Sequence, residues 1–207
     1  MNRILEFNEW KRKKICIFHM PKSSTQILYS LKMLGIPCTI YESLDPDVRE
    51  DFTVNEKSFC GIIISGGMLD QDEVLPELPV EVFESELPKL GICLGHEMLG
   101  VSLGSNLVDC NPQTHGEYGE VLANFSDDLI FKGIDTDVDI LVKMEHYKML
   151  DKEPSGSNLI ASTKMTPVAG FHHYEKKVWG VQFHPEKDWM SDIVMKNFYN
   201  YCYPKYK

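Results

Sequence analysis

Short apolar runs alternate with segments of helical periodicity through the first half of the chain. Runs typical of buried strands are KICIF at residues 14–18, CTIY at 38–41, CGIIIS at 60–65 and LGIC at 90–93. Between the first two runs, Ile27, Leu28 and Leu31 recur at helical spacing after Ser23 or Ser24 as a cap. Because continuous apolar runs are buried on both faces, the alternation predicts an α/β fold, an open and mainly parallel sheet with helices on both faces.

The second half of the chain is richer in strands. Candidate strands are residues 107–109, 119–124, 139–142, 159–163, 168–172 and 178–183. Further helices are predicted at residues 80–87, 94–103 and 190–201, and residues 45–51 are predicted to form a short polar helix or a turn. In open α/β sheets, ligands bind at the carboxyl ends of the strands. Two such ends carry unusual residues, Ser65-Gly66-Gly67 and Cys93.

Length and charge exclude several functional classes. The 207 residues suit one domain, and residues 1–12 are predicted to be an N-terminal extension of it. Asp and Glu number 31 against 21 Lys and Arg, which gives a formal net charge of -10. Such a chain is a poor general binder of phosphate backbones, so we expect no nucleic-acid partner. The longest uncharged run has 12 residues, whereas a membrane span needs roughly 20, so we expect no membrane partner.

The N-terminus and the cysteines indicate a cytoplasmic protein. The first 14 residues mix acids and bases and contain no apolar signal core. No two of the six cysteines have the C-x-x-C spacing of a zinc or redox motif. We therefore expect reduced thiols, no bound metal and no cofactor.

Cys93 is the candidate nucleophile. Residues 91–95 read G-I-C-L-G between a predicted strand and a predicted helix, the thiol counterpart of the G-x-S-x-G nucleophile elbow. The glycines permit a sharp, strained turn, and the helix N-terminus favours a thiolate. The backbone N–H of Leu94 can then face a developing oxyanion. By itself, the pattern is also compatible with an inert strand-to-helix turn.

Two further strand ends supply partners for a thiol. Gly67 can offer a second backbone N–H to an oxyanion, although a Gly-Gly pair is more often a flexible turn. His184 and Glu186 follow a predicted strand 91 residues after Cys93, and residues two apart on an extended segment point to the same side. A base with an orienting acid is what a catalytic cysteine requires. A lone H-P-E segment is usually a loop histidine beside a solvated glutamate.

Taken together, ISGG, GICLGHE and GVQFHPE in this order resemble the motifs of the class I, triad-type glutamine amidotransferases. The resemblance runs from about Ile15 to Tyr201 and implies a flavodoxin-like fold. It also implies that Cys93 is the nucleophile, His184 the base and Glu186 the orienting acid, and that a γ-glutamyl thioester forms during hydrolysis of glutamine.

The family resemblance further implies roles for the backbone and for a partner. The oxyanion N–H groups would come from Gly67 and Leu94. The segments EYG at residues 117–119, LIFKGI at 129–134 and PVAGFH at 167–172 are most similar to the amidotransferase subunits of GMP synthetase. Those proteins pass ammonia to a separate ATP-dependent synthetase, so we expect a synthetase of this kind as a partner of the chain.

Several residues depart from the family pattern where substrate and partner are recognised. Glu97 stands where the family has glutamine. A carboxylate accepts but does not donate hydrogen bonds and would repel a substrate carboxylate, although it could instead pair with the α-ammonium of the substrate or with a different substrate. The Ser-His-Gly-Asp type segment reads Glu145-His146-Tyr147-Lys148. The resemblance implies that Glu97, His146, Tyr147 and Lys148 contact the substrate. Other departures are FHMPK at residues 18–22 and Met68 after Ser-Gly-Gly.

Three functions remain open on these residues. The first is an amidotransferase component of GMP synthetase type. The second is a free-standing γ-glutamyl hydrolase that acts on a γ-glutamyl amide other than glutamine, which the departures at Glu97, Tyr147 and Lys148 motivate. The third is a non-enzymatic regulatory protein, against which the intact Cys93, His184 and Glu186 speak.

Overall fold

The apolar runs of the first half form four adjacent parallel strands on one side of a nine-stranded sheet. The structure, a computed structural model, describes residues 13–68, 74–110 and 116–204. The first strands are β1 (Lys14–His19), β2 (Cys38–Glu42), β3 (Phe59–Ile64) and β4 (Lys89–Ile92). Their parallel pairing confirms the prediction made from the strand–helix alternation.

The strand-rich second half extends the same sheet. Its strands are β5 (Leu107–Asp109), β6 (Glu117–Phe125), β7 (Ile140–His146), β8 (Lys148–Leu150), β9 (Asn158–Thr163), β10 (Gly170–His173) and β11 (Val178–Val181). The sheet order is β2-β1-β3-β4-β11-β10-β9-β6-β7, and β5 pairs with β8 in a small second sheet. The parallel part, β2-β1-β3-β4-β11, has the flavodoxin-like order, which confirms the predicted fold class. Beyond β11 the neighbours are antiparallel.

Helices cover both faces of the parallel strands. They are α1 (Gln26–Met33), α2 (Val48–Asn55), α3 (Val80–Glu84), α4 (Leu94–Ser102) and α5 (Ser191–Cys202). Ile15 and Ile17 of β1 lie in the core cluster that includes α1 and α5. Cys16 and Phe18 point to the other face, where they join α2, α3 and α4. The alternation along one strand therefore divides the core between two helical layers.

Several element bounds differ from the predictions for local reasons. The short helix or turn predicted at residues 45–51 is a helix that begins at Val48 and runs on to Asn55. The helix predicted at 80–87 ends at Glu84, because Ser85 is extended and Pro88 follows shortly after. The cap expected at Ser23 or Ser24 falls on Thr25, although the Ser24 hydroxyl accepts a bond from the Gln26 N–H.

Two further predictions concern the N-terminus and membrane-spanning helices. The N-terminal extension predicted for residues 1–12 lies outside the described residues. Among the helices that are described, none combines the length and the apolar character that a bilayer crossing requires.

Asp128 anchors a buried polar network beneath α5. Its carboxylate accepts hydrogen bonds from His172 Nδ1 at 2.7 Å, from Trp179 Nε1 at 3.0 Å and from the backbone N–H of Ile130 at 3.0 Å. Burial alone would raise the pKa of Asp128, but these donors, with His172 foremost, lower it below its usual value. The carboxylate therefore satisfies three donors that would otherwise be buried without a partner.

We expect Asp128→Ala to lower the free energy of unfolding by about 2–4 kcal/mol, because the buried ring N–H groups of His172 and Trp179 lose their hydrogen-bond acceptor. The adjacent Asp127 is exposed, and Asp127→Ala should change stability by less than about 0.5 kcal/mol. Urea denaturation at pH 7 measures both. Equal stability of the two variants would contradict the role given to Asp128.

Candidate active site

Cys93 occupies a strained turn between β4 and α4. Its backbone has φ 50° and ψ -105°, a region that residues with a side chain rarely adopt. The glycines of the motif permit this turn. A Cβ on Gly91 would lie 2.3 Å from the Gly95 carbonyl oxygen, and one on Gly95 would lie 2.2 Å from the Ile64 carbonyl oxygen. The turn is therefore built like the nucleophile elbow that the sequence predicts.

His184 and Glu186 reach the same end of the sheet from β11. Because β11 pairs in parallel with β4, Val181 lies opposite Ile92, and the next residue, Cys93, donates its N–H to the Val181 carbonyl at 2.8 Å. His184 Nδ1 and Glu186 Oε1 are 2.8 Å apart, and both side chains are buried. The structure thus brings the three predicted triad residues to one place.

The proton affinity of His184 reflects its neighbours. Burial alone would lower the pKa of His184, but the charge of the Cys93 sulfur, a hydrogen bond with it and the Glu186 carboxylate raise that pKa to about 10. These neighbours favour the protonated ring at neutral pH, with the Glu186 carboxylate on its Nδ1 side.

A cavity that is open to solvent lies above Cys93. Its walls include every residue that the sequence predicts for the oxyanion site and for substrate contact: Gly67, Leu94, Glu97, His146, Tyr147 and Lys148. Met68, Tyr118 and Glu145 complete the lining. A second cavity of about 550 Å³ lies on the side of His184 and Glu186.

The glycine pair after β3 is required by its surroundings. A Cβ on Gly66 would lie 2.9 Å from His184 Cε1, and one on Gly67 would lie 2.9 Å from the Pro21 carbonyl oxygen. The Ser65 hydroxyl fixes this loop, since it accepts from the Met20 N–H and donates to the Gly66 carbonyl, each at 2.9 Å. The loop is therefore held against the predicted catalytic residues, and the role of its N–H groups as oxyanion donors stays a prediction.

Glu97 is a buried carboxyl in the first turn of α4. Its side chain accepts a hydrogen bond from Gln182 Nε2 at 2.9 Å. Burial raises the pKa of Glu97 to about 8, although Gln182, Lys148 and His184 act in the opposite direction. At neutral pH the group is mainly the protonated acid, which donates a hydrogen bond as the family glutamine does. A protonated acid would not repel a substrate carboxylate, so the predicted repulsion applies to the ionised form of Glu97, and its contact with substrate stays a prediction.

The other residues predicted to contact the substrate make interactions with residues of this chain. His146 Nδ1 donates to the Lys148 carbonyl at 2.8 Å, and its Nε2 lies 3.5 Å from Glu117 Oε2. Lys148 Nζ pairs with Asp109 at 3.1 Å. The ring of Tyr147 meets that of Tyr118 edge to face, with centroids 5.5 Å apart. These residues shape the cavity wall, and direct contact of each with substrate stays a prediction.

Sequence reasoning missed three residues of the site. Gln182 holds Glu97 and lies 4.0 Å from the Cys93 sulfur, Tyr118 lines the cavity, and Glu145 pairs with Lys187 beside it. Gln182 gave one signal, because it is a polar residue inside the apolar run at 178–183. Tyr118 and Glu145 lie across the sheet from each other on β6 and β7, a pairing that the sequence alone does not specify.

A family comparison decides the classification of this site. The family model of glutamine amidotransferase class-I matches residues 22–197. The chain belongs to the class I glutamine amidotransferase family. It is accordingly an enzyme of the glutamine amidotransferase class, as the sequence predicts.

Curated relatives of this amidotransferase chain are larger proteins. A glutamine-hydrolyzing GMP synthase of Halothermothrix orenii is 35% identical over 153 residues, which cover 72% of this chain and 29% of the relative. The corresponding protein of Hydrogenovibrio crunogenus is 33% identical over 192 residues, which cover 86% and 34%. This chain thus spans about a third of the length of these relatives.

Solved structures share the fold. A protein from Thermoplasma acidophilum, described as one subunit of a GMP synthase, superposes with a TM-score of 0.76 at 24% identity, over 91% of this chain and 93% of that one. A glutamine amidotransferase of Thermotoga maritima gives a TM-score of 0.62 at 18% identity, over 84% and 77%. These similarities confirm the α/β architecture of the amidotransferase chain.

We expect Glu97→Gln to remove a pH dependence from the stability of the protein. Because the pKa of Glu97 is raised to about 8, the folded state keeps a proton that the unfolded chain releases above about pH 4.5, so stability falls as pH rises between these values. The variant should match the wild type near pH 5 and exceed it by about 3–5 kcal/mol at pH 8. Chemical denaturation from pH 5 to 9 measures the difference.

The exposed Glu120 provides the control for this measurement, since Glu120→Gln should leave the stability difference from wild type unchanged across the same pH range. If Glu97→Gln behaves like Glu120→Gln, the buried protonated acid is not present in the folded protein.

Proposed function

We propose that this chain hydrolyses the side-chain amide of L-glutamine and passes the ammonia to an ATP-dependent synthetase activity of GMP synthase type. The observation that carries the proposal is the triad itself: Cys93 on a strained elbow, with the buried His184–Glu186 pair beside it and one cavity above. Residues 1–207 are proposed to act as one amidotransferase domain in this reaction.

Cys93 starts the reaction. Its sulfur attacks the carbon of the glutamine carboxamide, and the carbonyl oxygen takes up negative charge that the N–H groups of Gly67 and Leu94 stabilise. His184, whose protonated form is favoured at neutral pH, gives its proton to the amide nitrogen, so that the C–N bond breaks and ammonia leaves. Glu186 orients the ring through Nδ1 and stabilises its charge.

Water completes the cycle. With the ammonia gone, His184 accepts a proton from a water molecule, which attacks the γ-glutamyl thioester and releases glutamate. The same two N–H groups stabilise the second oxyanion. Each step uses groups that line the cavity or lie directly behind it.

Glu97 supports glutamine as the substrate. The protonated acid offers both a donor and an acceptor, as the amide of the family glutamine does, so it tolerates the substrate carboxylate nearby. Gln182 fixes its orientation at 2.9 Å. Lys148 adds a positive charge to the same cavity, which complements an α-carboxylate.

The acceptor of ammonia is inferred from the relatives. Glutamine-hydrolyzing GMP synthases match this chain at 33–35% identity over about a third of their own length. We propose that the ATP-dependent step, the conversion of XMP to GMP, is carried out by a synthetase unit outside these 207 residues, and that this unit accelerates glutamine hydrolysis.

The residues at the mouth of the cavity favour a second candidate function. Tyr147 and Lys148 stand where the family pattern has small and acidic residues, and both line the cavity. An aromatic ring and a cation there suit a larger γ-glutamyl amide with an acidic group. On this alternative the chain is a free-standing γ-glutamyl hydrolase.

A substrate panel separates the two functions. The purified chain is incubated with L-glutamine and with γ-glutamyl amides of increasing size, and glutamate release is followed. The amidotransferase proposal expects slow release from glutamine, no faster release from any conjugate, and stimulation by an ATP-dependent synthetase. Inert glutamine together with rapid cleavage of a conjugate would establish the alternative instead.

We expect Cys93→Ser to lower kcat by at least about 10³-fold, since the thiolate is the nucleophile. Cys38→Ser, on β2 and outside the cavity, is the matched control and should keep full activity. Far-ultraviolet circular dichroism establishes that both variants fold. Turnover by Cys93→Ser near the wild-type rate would overturn the mechanism.

The acid of Glu97 should also shape the pH profile of glutamine binding. In the wild type, KM should rise above about pH 8, because ionised Glu97 loses its donor and repels the substrate carboxylate. In Glu97→Gln, KM should stay flat to pH 9, while kcat follows the wild-type profile. A wild-type KM that is constant between pH 7 and 9 would remove Glu97 from substrate recognition.

A further inference from the structure

Three metal-binding types of side chain converge behind the wall of the catalytic cavity. Cys110 follows β5, Glu117 begins β6 and His146 ends β7, and all three are buried. One ligand atom from each, the sulfur, a carboxylate oxygen and a ring nitrogen, lies within 4.8 Å of the other two. None of these residues belongs to the proposed triad.

The hydrogen bonds of His146 direct one nitrogen into this cluster. Nδ1 lies 2.8 Å from the Lys148 carbonyl, which only accepts, so Nδ1 carries a proton. Nε2 can then present a lone pair, and it faces Glu117 Oε2 at 3.5 Å. The Thr166 hydroxyl lies 3.4 Å from Nε2, but it donates its proton to Glu117 at 2.6 Å. Two acceptors thus face each other and require a proton or a metal cation between them.

The surrounding contacts hold these groups in the way that metal ligands are held. A ligating histidine generally donates its other ring N–H to a carbonyl or carboxylate, as His146 does to Lys148. A ligating carboxylate is generally hydrogen-bonded as well, and the hydroxyls of Thr163 and Thr166 donate to Glu117 at 3.1 and 2.6 Å. The tautomer and the carboxylate orientation are therefore fixed by the fold.

We propose that Cys110, Glu117 and His146 bind a divalent transition-metal ion of the zinc class. One sulfur, one nitrogen and one oxygen ligand suit Zn²⁺ or Co²⁺ and disfavour Mg²⁺ and Ca²⁺, which prefer oxygen ligands alone. The Thr166 hydroxyl, 3.7 Å from Cys110 Sγ, provides a fourth polar atom. Separations of about 3.3–3.7 Å are those of ligand atoms around a tetrahedral zinc with bonds of about 2.0–2.3 Å.

Binding changes the charge and the connections of the cluster. The ion replaces the thiol proton of Cys110, and that proton is released to solvent. The resulting thiolate and the Glu117 carboxylate together balance the two positive charges of the ion. The ion would link the end of β5 in the small sheet to β6 and β7 in the large sheet. Since residues 145–148 line the catalytic cavity, the bound metal would fix that wall.

The sequence predicted no metal, because it has no C-x-x-C motif. The three ligands are 7 and 29 residues apart along the chain, from Cys110 to Glu117 and from Glu117 to His146. The antiparallel pairing of β6 with β7 places Glu117 opposite His146, and the pairing of β5 with β8, followed by the bond from the Cys110 N–H to the Tyr147 carbonyl at 2.8 Å, brings Cys110 beside them. Spacing rules for compact zinc motifs do not detect such a set.

Cobalt substitution tests the proposal. The full chain is stripped with EDTA, transferred to a non-thiol reductant and titrated with CoCl₂. We expect one equivalent to bind, with visible bands of tetrahedral Co²⁺ and a near-ultraviolet thiolate-to-cobalt charge-transfer band. In Cys110→Ser that band should disappear, and the affinity should fall by roughly 100-fold or more. Absence of stoichiometric binding to the wild type would overturn the proposal.

The control variants locate the metal. Cys38→Ser and Cys93→Ser should keep the charge-transfer band, whereas loss of the band in Cys93→Ser would place the metal at the catalytic thiol and refute the site proposed here. Glu117→Gln should keep the thiolate band but bind more weakly. This second signature remains available if Cys110→Ser does not fold.

Thermal unfolding separates metal binding from fold damage. In EDTA, Cys110→Ser should unfold at the wild-type temperature, since serine replaces the thiol with little change of volume. ZnCl₂ should raise the unfolding temperature of the wild type and leave that of Cys110→Ser unchanged. An equal response of both proteins to zinc would contradict ligation by Cys110.

Discussion

The parallel pairing of β4 with β11 is the constraint on which the catalytic site depends. In the chain the 85 residues from 93 to 177 separate the two strands, yet the strands lie side by side in the sheet. Their register sets Cys93 N–H on the Val181 carbonyl at 2.8 Å and delivers His184 to the same edge. A shift of one residue would reverse the faces to which the side chains of β11 point relative to those of β4.

Around this edge the fold maintains two buried groups in unusual protonation states. His184 is held charged by Cys93 and Glu186, and Glu97 is held neutral by its burial beside Gln182. The two groups line different cavities: Glu97 lies in the wall of the cavity above Cys93, and His184 lines the second one. Environments that shift the pKa values of neighbouring titratable groups away from their usual values are typical of sites that perform acid–base chemistry.

The motif residues were predictable because their chemistry is local. The strand–turn–helix pattern around Cys93 and the H-P-E segment define their own geometry, and the strand alternation defined the parallel half of the sheet. The protonation of Glu97, the partners of His146 and the Cys110–Glu117 contact were not predictable. They depend on burial and on pairing between β6 and β7, which a single sequence does not specify.

Covalent labelling tests most directly whether Cys93 is the nucleophile of a glutamine site. A glutamine analogue with an electrophilic carbon in place of the carboxamide is added to the full chain, and the product is mapped by peptide mass spectrometry. The account predicts one adduct, on Cys93, whose formation L-glutamine slows by competition. Labelling of another cysteine while Cys93 stays free, or labelling that glutamine does not slow, would contradict it.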